Sequence, residues 1–526
     1  MRFIYNFKQG EAEGNRDMRD LLGGKGANLA EMCNLSIPVP PGFTIIPEAS
    51  KFFVGTEFDS EEKFNFNIQY EESLHRLEQL SNSVIGSESN PCLLSVRSGA
   101  KHSMPGMMDS VLNLGMNDYL IDNFIEKTGN PFYVYDCYRR FIQTYAVVVL
   151  NIDPELFEEK LECLDNPTFE DLKNLCEEFK QILVDKDKHI PSNGYAQLRE
   201  TIKAVYLSWD SDRAKIYRQE HNIPEGGGTA VNIQTMVYGN KNENSLTGVL
   251  FSRDCLSGSD NITGEFLYKS QGEDIVSGLI TPDPLSIHSS KEIARKIGYP
   301  EEERLHNLLS LEEIQPSLFK TLSDLAKKLE THYKDAQDIE FTVDDGELWI
   351  LQTRVANKTR RANYIIQKSL FLEDIIDYDI LQDRTKRYKL EKPDRFSFKD
   401  LEEKNRLLLG IGLAASSGLA VGQIALDSER ALKQDNAILV REQTDTHDLE
   451  GILASKGTLT AKGGTTSHAA VVCRGANLCC VVGAKILVDL VTRRVQIGDK
   501  IFNEGDWISL DGDSGEIYAG QLVFEV

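Results

Sequence analysis

From Met1 to about Arg354, short apolar and β-branched runs alternate with segments of helical spacing and with glycine turns, a pattern that predicts α/β or α+β architecture. Between about Asp118 and Ile223 the apolar positions recur at helical spacing, as in "EKLECLDNPTFEDLKNLCEEFKQILVDK", and predict a helical subdomain over 118–223. From Ala356 to about Asn405 the chain is charged and free of glycine. Its second half, "QDRTKRYKLEKPDRFSFKDLEEKNR", keeps no apolar face, which predicts a helical arm running into a linker. Small and β-branched residues return in "LLLGIGLAASSGLAVGQIALDSERAL". The closing "GDWISLDGDSGEIYAGQLVFEV" alternates strand-like runs with Asp-Gly and Ser-Gly turns. Three parts follow: a large unit over 1–355, an arm and linker over 356–405, and a compact terminal domain over 406–526.

Composition narrows the classes. At 526 residues the chain has room for three or four domains of roughly 100–200 residues each. No stretch approaches the roughly 20 apolar residues of a membrane span, and the start lacks a basic segment followed by an apolar one, so the expectation is a cytoplasmic protein. Nine cysteines without a C-x-x-C pair read as reduced thiols, with Cys479 and Cys480 as packing residues. The formal net charge of −24 argues against nucleic acid as a partner. Any phosphate must be bound locally.

Three stretches offer such sites. In "LLGGKGANLAEM", Gly23, Gly24 and Gly26 free the backbone around Lys25 to approach a ligand, and the following helix would point its N-terminus at a phosphate; an ordinary glycine turn with a solvated lysine is the alternative. In "LLSVRSGAKHSMPGMMDSVLNLG", a strand from Leu93 to Val96 delivers Arg97 into a Ser-Gly turn, where a guanidinium can grip phosphate or merely close a surface turn. A Met-Pro-Gly-Met-Met loop follows. Downstream, Arg139 and Arg140 lie on a helical stretch, as functional or solvated side chains. In "DIEFTVDDGELWILQTR", a hairpin turns around Asp344-Asp345-Gly346. A three-residue loop pairs Phe341 with Trp349 and Ile339 with Leu351, and collects Asp338, Glu340, Gln352 and Arg354 on the other face. Oxygen ligands of this kind suit magnesium, and with it a nucleotide, unless the face is simply solvated.

The segment "AKGGTTSHAAVVCRGAN" places His468 in the first turn of a helix capped by Thr466 or Ser467. The partial positive charge there disfavours the imidazolium. A neutral imidazole is a nucleophile, and a phosphoryl group on it would lie beside free backbone N–H groups. A lone histidine is also often structural.

These motifs occur in order with "YRRFIQTYA", "VNIQTMVYGN", "TGVLFSRD" and "QGEDIVSGLITP". Together they closely resemble the pyruvate phosphate dikinase family, among the phosphoenolpyruvate-utilising phosphohistidine enzymes. The resemblance implies a multidomain fold: an ATP-grasp-like nucleotide-binding domain, a linker, and a swivelling β/β/α phosphohistidine domain. It implies that magnesium-bound ATP gives its β-phosphoryl group to His468 and its γ-phosphoryl group to inorganic phosphate. Lys25, Arg97, Asp338, Glu340 and Gln352 would serve ATP and magnesium, with Asp338, Glu340 and Gln352 as metal ligands. Arg354 and one of Arg139 or Arg140 would hold the γ-phosphate or incoming phosphate, with Glu273 and Asp274 in the same site. Thr466 matches a threonine that plant relatives use for regulation; a capping role gives it another reason to exist.

Two departures are local: "ASSGLA" stands where the family has Ala-Ser-Pro-Gly, and Thr465 replaces a methionine. The family's pyruvate- and phosphoenolpyruvate-binding barrel has no counterpart in these 526 residues, so a separate barrel subunit is an expected partner. The lack of those family dimer contacts favours a monomer. Alternatives are a relative that uses water as the γ-phosphoryl acceptor and a non-catalytic nucleotide-binding remnant. Survival of Lys25, Arg97, Glu340 and His468 argues against the remnant.

Overall fold

The computed structural model describes residues 1–55, 60–102, 104, 108–162, 164, 167–220, 223–276, 280–390, 397–398 and 401–525. Pro105, Gly106 and Met107 of the methionine-rich loop, and residues 391–396 and 399–400 of the expected linker, lie outside them. The chain forms two compact units, Met1–Ser245 with Val343–Gln352, and Leu246–Thr342 with Thr353–Val526. This division differs from the boundary read at residue 355. The physical reason is the hairpin tip, which the first unit holds by Ile350 N–H on the Pro38 carbonyl at 2.7 Å, Gly346 N–H on the Asn244 carbonyl at 3.2 Å, and Lys241 on Asp344 at 2.9 Å.

The first unit is built on an antiparallel sheet of β1 (Ile4–Lys8), β2 (Glu11–Ala12), β3 (Gly42–Ile45), β4 (Leu94–Ala100), β5 (Ser110–Leu114) and β6 (Thr229–Thr235), in the order β2-β1-β3-β6-β4-β5. Its core gathers Phe3, Phe43, Phe52, Phe66 and Phe141. Among the described residues six helices lie within 118–223, from Asp118–Thr128 to Asp212–Glu220. Asparagine and threonine caps start four of them: Asn117, Asn130, Thr168 and Asn193 each accept a backbone N–H of the first turn.

Arg97 corrects the sequence reading. It lies in the middle of β4, not at a strand end, because Ser98, Gly99 and Ala100 continue to pair with Val231, Ala230 and Thr229. Gly99 is the condition for this continuation: a Cβ there would collide with the Asn232 amide.

The second unit begins with β7 (Leu246–Phe251), β8 (Thr263–Tyr268) and β9 (Asp283–Pro284), in a five-stranded sheet completed by β10 (Gln337–Asp344) and β11 (Glu347–Val355), whose hairpin end belongs to the first unit; the order is β11-β10-β7-β8-β9. Beside it the helix Pro316–Tyr333 carries Glu330 to Arg253, 1% exposed, which donates through Nε and Nη2 at 3.0 and 2.8 Å. Ser252 adds a 2.7 Å bond to the same carboxylate. Neutralising Glu330 leaves the buried Arg253 with the partly exposed Glu373 as its remaining carboxylate, bonded at 2.8 Å. Glu330→Gln is therefore expected to lower stability by about 2–3 kcal/mol in denaturant titration, against at most about 1 kcal/mol for an exposed pair such as Lys320–Asp324.

The expected three-residue hairpin loop is also corrected. The strands end at Asp344 and resume at Glu347, and both turn residues are left-handed, Asp345 at φ 51° and Gly346 at φ 86°, so the turn has two residues. A two-residue turn pairs even with odd positions. Farther along, however, Asp338 meets Arg354 at 2.8 Å and Gln337 meets Thr353 at 3.0 Å, like parity with like. The ladder therefore shifts by one residue in between, the signature of a bulge, and Asp338 and Arg354 still share a face.

The expected arm contains the helices Arg360–Leu372 and Tyr378–Tyr388. Beyond it lies an eight-stranded sheet whose central strands, Leu419–Ala425, Ala437–Arg441, Gly457–Thr460 and Cys479–Val482, run parallel. Both faces are covered. Ile438, Val440 and Val481 enter one apolar cluster, while Leu439, Cys480 and Val482 enter another beneath the helix His468–Ala476. The adjacent Cys479 and Cys480 thus pack on opposite faces, and the eight described cysteines are all buried. Among the described residues no helix is long and apolar enough to cross a membrane.

Candidate active site

His468 is the first residue of the helix His468–Ala476. Ser467 occupies the cap position, but its hydroxyl makes no cap bond and is buried without a hydrogen-bond partner. Thr466, the other expected cap, is spent elsewhere, so its expected capping role falls. The ring is half-buried. Burial pushes its pKa below the ordinary 6.5, and the carboxylates of Asp445 and Asp448 counter that only in part. Nδ1 lies 3.4 Å from the Thr444 hydroxyl. Depression of the pKa keeps the imidazole neutral at physiological pH. Labelling of His468 by a phosphoryl donor is accordingly expected to hold a plateau from neutral pH down past 6.5 and to fall only at lower pH. A midpoint above 6.5 in a pH–rate series would contradict this.

The loop before the histidine is fixed by Glu265 of β8, 5% exposed. Thr465 donates its N–H and hydroxyl to Oε1 at 2.6 and 2.8 Å, and Thr466 donates its N–H and hydroxyl to Oε2 at 3.1 and 2.6 Å. From the helix itself Arg474 bonds the Thr465 carbonyl at 2.6 Å, with its guanidinium over the Phe251 ring at 5.2 Å.

Strand register shows which face this is. Glu265 pairs with Val249 on β7. A Cβ on the neighbouring Gly248 would run into the Phe341 ring, so Gly248 and Phe341 share one face, and Val249 and Glu340 the other. Glu265, Glu340 and Asp338 therefore project from the same face of one sheet, with Glu265 and Glu340 two strands, roughly 10 Å, apart. Sequence reasoning could name Asp338 and Glu340. It had no signal for Glu265, which lies 200 residues from the loop that it binds.

Asp338 is 4% exposed; Oδ2 takes the Arg354 Nε–H at 2.8 Å, while Oδ1 is buried without a partner. Asp338 and then Glu340 raise the pKa of Arg354 against its burial, which places all three charges in one field. Among the described residues no three His, Cys, Asp or Glu side chains form a ready metal cluster. Two carboxylates with one orphaned oxygen fit a magnesium ion that takes its other ligands from phosphate and water. Glu273 is exposed at the start of the helix Gly272–Val276, and Asp274 accepts the Gln271 N–H at 2.8 Å, which gives it a local capping use.

In the first unit, Gly23 breaks the helix Arg19–Asn34 with φ 67°, and a Cβ there would strike the Gly99 carbonyl. The half-buried Lys25 opens the turn that follows, and a cleft of about 210 Å³ is lined there by Gly23, Gly99, Lys101, Trp209 and Gly227. Arg97 donates to the Gln234 side chain at 2.9 Å and to the Leu351 carbonyl at 3.2 Å. Gln352 is half-buried at the end of the segment that returns to this unit. Arg139 and Arg140, on the helix Pro131–Val148, are not solvated: both grip Asp136, at 2.6 and 3.1 Å, and Asn240 completes the cluster at 2.8 Å. Burial raises the Asp136 pKa, but Arg140 and Arg139 outweigh it and hold the carboxyl at about 2.

Residues 62–370 match the family model of the pyruvate phosphate dikinase AMP/ATP-binding domain, more than half of the chain. The chain belongs to this family. Residues 433–515 match the mobile domain of PEP-utilising enzymes and include His468. Among curated relatives, pyruvate, phosphate dikinase of Clostridium symbiosum is 40% identical over 539 residues, 99% of this chain and 58% of the relative. The chloroplastic enzyme of the same name from Flaveria trinervia is 40% identical, over 99% of this chain and 53% of its own. That of Rickettsia prowazekii is 39% identical, with 99% and 58% covered. The chain spans about half the length of the curated relatives it matches. The match to both family models agrees with the multidomain α/β fold.

Proposed function

We propose that this chain carries out the ATP and phosphate half of a dikinase reaction. ATP and inorganic phosphate phosphorylate His468 and leave as AMP and pyrophosphate; the phosphoryl group then passes to pyruvate on a barrel domain, whichever polypeptide supplies it. The observation that carries this reading is the placement of the histidine loop, through Glu265, on the sheet face that bears Asp338 and Glu340.

Each group has a task. The neutral His468 ring, with Nδ1 beside Thr444, offers Nε2 as the nucleophile to the β-phosphorus. As the Nε2–P bond forms, the bond from the β-phosphorus to the AMP oxygen breaks and AMP leaves; inorganic phosphate then attacks the γ-phosphorus, the γ-phosphorus bond to the bridging oxygen breaks, pyrophosphate leaves, and the β-phosphoryl group stays on Nε2. The Ser467 hydroxyl and the N–H groups of the first helical turn, which lack acceptors within the helix, receive the new anionic group. Lys25, Arg97, Asp338, Glu340 and Gln352 are assigned to the nucleotide and its metal. Magnesium, held by Asp338 and Glu340 with the Gln352 amide, would supply charge neutralisation at the phosphates. Arg354, held by Asp338, and one of Arg139 or Arg140, held by Asp136, are assigned to the γ-phosphate or the incoming phosphate. Glu273 and Asp274 are assigned to the same region.

The phosphate requirement separates this from a water-using relative. ATP labelled at the γ position is expected to yield labelled pyrophosphate only when inorganic phosphate is present. Labelled inorganic phosphate formed without added phosphate, at the rate of His468 labelling, would make water the acceptor and overturn the assignment.

A further inference from the structure

The segment "VNIQTMVYGN", residues 231–240, has no part in the chemistry described above. Its first half belongs to β6, a central strand of the first unit's sheet, between β3 and β4. Val231 and Ile233 are fully buried in the apolar core. Asn232 and Gln234 alternate with them and so face the other way, yet they are buried as well, at 0% and 2% exposed. Apolar side chains would suit a strand covered on both faces, and a buried amide costs free energy unless its polar atoms are used.

The uses lie beside groups proposed above to hold phosphate. Thr44 and Arg97 are the register partners of Asn232 on the two neighbouring strands, which sets the three side chains in a row on one face. Asn232 Oδ1 takes the Thr44 hydroxyl at 2.9 Å, and Gly26, next to Lys25, lies so close to both that a Cβ there would collide with them. Gln234 donates Nε2–H to the Pro40 carbonyl at 2.9 Å and, held there, presents Oε1 to Arg97 Nη2 at 2.9 Å. Past the strand, Asn240, 6% exposed, donates to Asp136 Oδ2 at 2.8 Å, the carboxylate that grips Arg139 and Arg140. All of these residues belong to the first unit.

We infer that Asn232, Gln234 and Asn240 are positioning residues for the cationic groups of the first unit: Asn232 seats the turn of Lys25, Gln234 aims Arg97, and Asn240 steadies the acid that holds Arg139 and Arg140. The inference rests on the proposed assignment of those cations to phosphate. Each amide acts through another side chain, not on the phosphate. Neutrality matters at Gln234. Its carbonyl oxygen orients the guanidinium and leaves the charge for an anionic ligand, whereas a carboxylate in its place would pair with that charge.

The test titrates the full chain, with magnesium, against ATP and against adenosine, which carries no phosphate; neither titration needs turnover. Gln234→Met keeps the bulk and removes the acceptor, and Gln234→Glu keeps the shape and an acceptor but adds a negative charge. Thr235→Val, on the same strand, is the control; its hydroxyl bonds the Pro41 carbonyl at 3.4 Å. Both Gln234 variants are expected to weaken ATP binding about tenfold and adenosine binding less than about twofold, with Thr235→Val changing neither. Asn240→Ser is expected to raise the phosphate concentration for half-maximal His468 labelling about fivefold, with ATP affinity unchanged. ATP affinity unaltered in both Gln234 variants would overturn the inference, as would equal loss of ATP and adenosine affinity, the mark of a damaged fold. An unchanged phosphate requirement in Asn240→Ser would remove Asn240 from it. If the unaltered chain takes no label while the ATP and adenosine titrations show the expected pattern, the positioning role stands and the proposed transfer to His468 falls.

Discussion

His468→Gln leaves no acid-labile label on the protein after incubation with magnesium, phosphate and ATP labelled in its β-phosphoryl group. Glutamine keeps the polar bulk and hydrogen-bonding capacity at a half-buried helix start but has no nucleophilic nitrogen. The helix His468–Ala476 loses no side-chain cap, since Ser467 provides none, so stability should change by no more than about 1 kcal/mol. Loss of label with retained stability and retained ATP binding separates a missing nucleophile from a damaged fold. Label that persists in His468→Gln would transfer the carrier role to another side chain.

Asp338→Asn is expected to lower the single-turnover labelling rate by on the order of a hundredfold to a thousandfold and to raise the magnesium concentration needed for half-maximal rate. The two oxygens of Asp338 have different situations. Oδ2 fixes Arg354, whereas Oδ1 is buried with no partner, an arrangement that costs free energy unless a ligand completes it. Asparagine preserves the shape but removes the charge that both Arg354 and a cation require. The magnesium dependence is the discriminating readout: a rate that falls without any change in magnesium requirement would restrict Asp338 to orienting Arg354. A rate within about threefold of the unaltered chain would remove it from the site altogether.

The elements that hold the candidate residues were legible because they are local. An alternating apolar pattern around Asp-Gly announces a hairpin, and a Gly-Gly-Thr-Thr-Ser-His run ahead of an alanine-rich stretch announces a helix start. What the sequence concealed was long-range. Thr466 looks like a cap by position, and its hydroxyl would serve as one in isolation; Glu265 competes for it and wins, because a buried carboxylate gains two charge-assisted bonds from each threonine. Arg97 looks like the end of a strand because Ser-Gly follows it. The partner strand β6 continues through Thr229, and Gly99 gives room to Asn232, so the strand continues too.

The hairpin register teaches the same lesson at finer scale. Apolar pairing alone favoured a three-residue loop, since that single choice put Phe341 with Trp349 and the carboxylates together. The structure reaches the second result by another route: a two-residue turn at Asp345-Gly346, then a one-residue shift that restores Asp338 to Arg354. A bulge leaves no compositional trace, so only the pairing reveals it. The unit boundary was hidden for a related reason: the tip of this hairpin is claimed by backbone bonds to Pro38 and Asn244, far from it in sequence.

The most direct test of the account is the fate of the β-phosphoryl group. The purified chain is incubated with magnesium, phosphate and β-labelled ATP, and the acid-labile label is mapped by peptide. One labelled peptide, containing His468, is expected, formed together with AMP and reversed by pyrophosphate. Label that arrives from the γ position instead, or ATP binding with no label on His468, would contradict it.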